Sequence, residues 1–273
     1  MKLFLLLLLI AISVTAGDYT WLSSYRESRT IGVLFSPPFP HLRTNQAQGS
    51  FGEWLRSFPV QKKTVTPAML LRPDVMDHCH SFLDLDYPDL PRQKGIALAV
   101  RLWAEYLYAR GENWDIEFWF RTGERIDFNL WLSGMRPYFV GDKLKWRDCD
   151  FKDSSYDSFR RYMGFFFECA STGFMTVKMR RLRDSEVLQP GDVYFSGEWS
   201  GHAVVIMDTA VHRTTGKMIF LLGQGLPPEK QYHLIENVRD QELSPWFAEV
   251  NGEVLTPQVV FKREDRYRIY LEK

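Results

Sequence analysis

The stretch from Pro91 to Arg110 constrains this chain more than any other, because it leaves a helix no solvent side. Ile96, Ala97, Leu98, Ala99, Val100, Leu102, Trp103, Tyr106 and Leu107 fall around nearly the whole helical circumference. A helix that is apolar all round is buried. Pro91 suits a first-turn position and Gly111 supplies the C-terminal stop. Other elements must therefore wrap this segment. Arg101 and Glu105 stand four apart on one of its faces, which makes them a paired polar stripe with partners in the core, or binding residues.

The stretch with the best strand signals runs from Pro190 to Gly225. Ala203–Met207 and Met218–Leu222 are apolar runs separated by Arg213-Thr214-Thr215-Gly216, which reads as a hairpin. Antiparallel counting from a turn near Thr214–Thr215 sets His202 close to Gln224 and Gly225 at the open end. A histidine entering a strand beside an amide is what a general base and its orienting group require; a histidine satisfied by backbone at a strand end is the plainer reading. Asp192 precedes the first strand of this region, in Gly191-Asp192-Val193.

Between these landmarks the chain alternates helices and short strands. Ser50 to Pro59 reads as a helix with Ser50 as N-cap, Glu53 as capping-box partner and Pro59 as stop. Ser81–Asp86 alternates as a strand with His80 at its start, and Asp115–Arg121 alternates likewise. Phe128–Leu132 is a short helix ended by Gly134, before a break at Arg136-Pro137-Tyr138, and Ser155–Glu168 is a second long helix. Strands at Tyr232–Ile235, Val259–Lys262 and Tyr267–Leu271 complete the back half. Helices first and antiparallel strands later argue for one α+β domain over residues 50–273, preceded by an extended arm over 17–49 whose Ser36-Pro37-Pro38-Phe39-Pro40 can join no central strand.

Composition adds an address. Met1-Lys2, an apolar run from Leu3 to Ile12 and small residues at Val14 and Ala16 make a secretory signal over residues 1–16, cut near Ala16, so the mature protein is exported, periplasmic or secreted, with no membrane anchor. Lys plus Arg equals Asp plus Glu at 34 each, so no global charge argues for nucleic acid or an anionic surface. Cys79, Cys149 and Cys169 allow at most one internal disulfide. His78-Cys79-His80 is poor chelate geometry, and no metal or cofactor motif is present.

Several motifs together resemble a known family. Ser50-Phe51-Gly52-x-Trp54-Leu55-Arg56, Leu83-Asp84-Leu85-Asp86, Arg101-Leu102-x-Ala104-Glu105-Tyr106-Leu107-Tyr108 and Phe159-Arg160-Arg161-Tyr162-Met163 occur in order. They are followed by Gly191-Asp192-Val193, Gly201-His202-Ala203-Val204, Phe220-Leu221-Leu222-x-Gln224, Pro245-Trp246-Phe247 and Thr256-Pro257. This set resembles an uncharacterised, typically exported bacterial family classed only as a domain of unknown function. The family in turn resembles, more distantly, the NlpC/P60 and CHAP cell-wall peptidases. That likeness implies a papain-like core, with a buried central helix packed on an antiparallel sheet.

In those enzymes a Cys opens the buried helix, a His begins a strand and a third polar residue lies on the next strand. The resemblance carries these roles to Gly95, His202 and Gln224. Gly95 has no side chain and cannot be a nucleophile, so the resemblance implies a degenerate member that binds a peptide or peptidoglycan-like ligand without cutting it, with His80, Arg101, Glu105 and Asp192 as binding residues. Two alternatives stand beside it. One is an active hydrolase or transferase using water activated by His202, or a displaced Cys79; the other is a structural or interaction protein whose polar residues are scaffolding.

Overall fold

The computed structural model describes residues 19–61, 78–85, 96–119, 123–141, 143–169, 179–196, 201–226 and 231–269. Its helices are α1 (Ile31–Leu34), α2 (Phe51–Arg56), α3 (Ala97–Ala109), α4 (Phe128–Leu132) and α5 (Tyr156–Cys169). The strands of the first half are β1 (His41–Arg43), β2 (Cys79–Phe82), β3 (Glu117–Trp119), β4 (Arg125–Asp127), β5 (Met135–Val140), β6 (Lys143–Asp148) and β7 (Met179–Arg181). Those of the second half are β8 (Val193–Phe195), β9 (Ala203–His212), β10 (Met218–Leu226), β11 (Gln231–Ile235), β12 (Trp246–Ala248), β13 (Glu253–Leu255), β14 (Val260–Lys262) and β15 (Arg266–Ile269).

One mostly antiparallel sheet organises the molecule, in the order β2-β11-β10-β9-β8-β15-β7, with β1 beside β9 and β12 beside β10. The fold is α+β. Successive strand residues point to opposite faces, and here both faces are covered. Ala203, Val205 and Met207 enter the larger apolar cluster with Leu98, Leu102 and Leu107 of α3. Val204 and Ile206 enter a second cluster with Tyr194, Phe220, Val254 and Phe261. That double cover is why β9 reads as an unbroken apolar run rather than an alternating one.

The central helix is wrapped as its sequence demands: Ala97–Leu102 and Ala104–Leu107 are all buried. Its C-terminus closes as a Schellman turn, with Gly111 at φ +70°, Gly111 N–H donating to Tyr108 O at 3.0 Å and Glu112 N–H to Leu107 O at 2.9 Å. Residues 91–95, expected to form its first turn, lie outside the described residues. Ser50 caps α2 by accepting the Glu53 N–H. The reciprocal arm of the box reaches one residue further back, since Glu53 Oε2 accepts from Gly49 N–H rather than from Ser50.

The structure corrects four boundaries. Pro137, read as a break, sits inside β5 opposite Trp146; among the described residues β5 pairs with β6 alone, so a residue lacking an N–H costs no second ladder. The strand expected over Asp115–Arg121 begins only at Glu117, because Asn113–Asp115 first makes a 3-10 turn, and its last two residues lie outside the described residues. The strand expected over Ser81–Asp86 begins two residues earlier, at Cys79, and places His80 inside it. The arm does more than drape. Its Pro-rich stretch stays outside the sheet, but His41–Arg43 immediately after it pair with His212–Ala210.

Candidate functional site

The residues expected to act together are distributed over separate polar groups. His202 is half-buried just before β9, and its carbonyl accepts from Ser196 N–H at 3.1 Å. Gln224 is buried on β10, opposite His233 of β11, and the Gln224 amide and His233 Nε2 are 3.0 Å apart. No hydrogen bond joins Gln224 to His202 among the described residues. The amide thus meets an imidazole as expected, but it is that of His233. The β9–β10 ladder explains part of this: it reaches Gly223↔Val205 after a bulge between Leu221 and Leu222. His202 also has the strand parity of Val204, the face opposite α3. Gly95, expected at the nucleophile position, lies outside the described residues.

The other expected residues are each held locally. His80 Nδ1 lies 3.0 Å from Ser81 Oγ, with its ring 5.4 Å from that of Phe35. Arg101 and Glu105 are fully buried, with Arg101 Nε donating to Glu105 Oε1 at 2.6 Å. Tyr156 OH donates to the same oxygen at 2.9 Å and accepts from Arg101 Nη2 at 3.2 Å. The stripe is a core ion pair. Asp192 is the exception, because its surroundings are open to a ligand.

Asp192 forms the floor of a cleft of about 400 Å³, walled by Gln46, Ser50, Phe51, Trp103, Gln189 and Arg268. Arg268 clamps the carboxylate from two nitrogens, Nε to Oδ1 at 2.7 Å and Nη2 to Oδ2 at 2.8 Å, the geometry a planar guanidinium favours. Gln189 N–H donates to Oδ2 at 2.9 Å. Burial pushes the Asp192 carboxyl above the usual range, and the Arg268 guanidinium opposes that shift. The loop is fastened to β9 by Gly191 N–H to Ile206 O at 2.7 Å and Ile206 N–H to Asp192 O at 2.9 Å.

Two glycines make the cleft possible. Gly191 has φ +93°, and a Cβ there would lie 2.6 Å from the Phe51 ring. A Cβ on Gly52 would occupy the place of the Gln46 amide oxygen. Phe51 and Trp103 meet edge to face at 4.9 Å between centroids, and Gln46 is steadied by Nε2 to Thr44 Oγ1 at 3.0 Å. Aromatic edges, side-chain amides and one clamped carboxylate now line a single concavity. Phe51 and Gly52 belong to a motif visible in the sequence, but Trp103 reads there as one more apolar helix residue. Arg268 and His233 carried no sequence signal beyond a strand position.

The model of a family described as a domain of unknown function (4846) matches residues 31–268. The chain belongs to this family. The DUF4846 match contains every cleft residue just named. No curated protein and no solved structure matches the chain. The more distant likeness of DUF4846 to NlpC/P60 and CHAP peptidases draws no support from these comparisons.

Proposed function

We propose that this protein is an exported binding protein with a papain-like core that holds a peptide or peptidoglycan-like ligand in the Asp192 cleft without cutting it. The observation that carries the reading is the lining of that cleft. Phe51 and Trp103 offer apolar faces, while Gln46 and Gln189 offer amide donors and acceptors. That mixture suits a ligand built of amide bonds and acetamido sugars, and the volume falls within the range of small-molecule sites, about 300–1,000 Å³. Gly95 at the expected nucleophile position, and a Gln224 engaged with His233 rather than His202, speak for binding over hydrolysis. The papain-like assignment rests on a buried helix packed on an antiparallel sheet, with helix, Gly191-Asp192-Val193 and His202 in the expected order.

The test is calorimetry with soluble muropeptides and with the free stem peptide, using the chain from Gly17 onward. Trp103→Ala is expected to weaken binding by about tenfold or more, as loss of a central aromatic contact does. His202→Ala should leave the affinity unchanged. Absence of heat with every muropeptide and peptide sinks the proposal, and so does an affinity indifferent to Trp103→Ala. For the export half of the reading, mass spectrometry of protein recovered outside the cytoplasm is expected to find a chain beginning at Gly17. A chain retaining Met1–Ala16 would contradict it.

A further inference from the structure

Among the described residues the β5–β6 hairpin pairs with no other strand, and its two ends differ in character. The base is anchored: the Arg136 guanidinium lies 4.2 Å over the Trp131 ring while donating to Trp131 O at 2.7 Å. Toward the tip the cover is lost, with Tyr138 37%, Phe139 44% and Val140 56% exposed. Consecutive strand residues point to opposite faces: Phe139 shares its face with the buried Leu144 opposite it, whereas Tyr138 and Val140 lie on the outer face with their partners Lys145 and Lys143. Phe139 leans on Phe165 of α5, at 6.3 Å between centroids, and still presents that much surface.

Charge gathers on that outer face. Val140 pairs with Lys143, Tyr138 with Lys145 and Arg136 with Arg147, and Lys143, Lys145 and Arg147 are all exposed. From Met135 to Asp148 the sequence has four cations, Arg136, Lys143, Lys145 and Arg147, against Asp142 and Asp148. The acids that follow, Asp150 and Asp153, come after the base end of β6. An outer face that sets Tyr138 and Val140 among exposed basic side chains fits an anionic lipid surface. Aromatic and aliphatic side chains enter the headgroup layer while the ammonium and guanidinium groups meet its phosphates.

We propose that the outer face of the β5–β6 hairpin is a peripheral contact with anionic lipid bilayers, Tyr138 and Val140 entering the headgroup region and Lys143, Lys145 and Arg147 binding its phosphates. The neutral balance of the whole chain conceals this local asymmetry. No described helix is long and apolar enough to cross a membrane, and adhesion of this kind requires none.

The test is co-sedimentation of the chain from Gly17 onward with vesicles of phosphatidylcholine alone or mixed equally with phosphatidylglycerol. Binding is expected to the mixed vesicles only, and to fall with added salt. Lys143→Glu with Lys145→Glu should lower the partition coefficient by about tenfold or more, each basic side chain near the surface being worth about 1 kcal/mol. Val140→Asp should lower it too, with the melting temperature unchanged in both variants. Equal partition onto the two vesicle types overturns the proposal, as do variants that bind like the parent. Self-association through the hairpin, seen as a dimer lost on Val140→Asp with no vesicle binding, would also overturn it.

Discussion

Replacing Asp208 by alanine is expected to lower the free energy of unfolding by about 3–5 kcal/mol, the cost of stranding buried charge by removing its partner. The Asp208 carboxylate is wholly buried and takes Arg43 Nε at 2.7 Å, Arg56 Nε at 2.9 Å and Arg56 Nη2 at 2.7 Å. Both guanidiniums are mostly enclosed, and each also reaches backbone: Arg43 Nη2 donates to Phe35 O at 2.6 Å and Arg56 Nη2 to Thr44 O at 2.9 Å. One carboxylate on β9 therefore fixes the arm and α2 together. Urea denaturation followed by circular dichroism measures the loss. A change under about 1 kcal/mol would place the cluster with surface ion pairs and deny it this role. Arg43→Met should cost less, since Arg56 still neutralises the carboxylate.

The second large effect belongs to the pair inside α3. Glu105→Ala is expected to cost about 3–5 kcal/mol, because it breaks a fully buried ion pair by removing one of its two members. The double variant Arg101→Met/Glu105→Leu should be more stable than Glu105→Ala alone, since it removes both charges from the interior. The same denaturation series decides the matter. If the losses of Arg101→Met and Glu105→Leu made singly simply add in the double variant, the charges do not depend on one another and the coupling is absent. Tyr156 OH bonds both Glu105 Oε1 and Arg101 Nη2, so Tyr156→Phe is expected to lose about 1–3 kcal/mol, the worth of two hydrogen bonds.

Elements whose cause is local were legible in the sequence. The all-apolar circumference of α3, its Gly111 stop, the Ser50 cap of α2 and the limits of α4 at Phe128–Leu132 all depend on neighbouring residues, and all appear in the structure. The hairpin of β9 and β10 was legible for the same reason. What escaped depends on partners distant in sequence. Counting outward from the turn gives Gln224 one neighbouring strand, whereas inside a sheet it has two, and its amide went to His233 across β11. The bulge leaves Met207 without an opposite residue and brings Asp208 opposite Leu221, on the side that Arg43 and Arg56 reach. Nothing in the run Val205-Ile206-Met207-Asp208 announces that register change. Pro137 misled because the rule against strand prolines concerns strands paired on both sides.

The pairing of β1 with β9 orders events in time. His41 meets His212, and Thr44 N–H donates to Thr209 O at 3.1 Å, so residues 41–44 find their seat only after the chain as far as residue 212 exists. A ribosome adds about 5–20 residues per second, which leaves the N-terminal part waiting for roughly ten seconds or more. Contacts of such sequence separation also slow folding once the chain is complete. A polypeptide built this way cannot close its central sheet for as long as its last strands are missing.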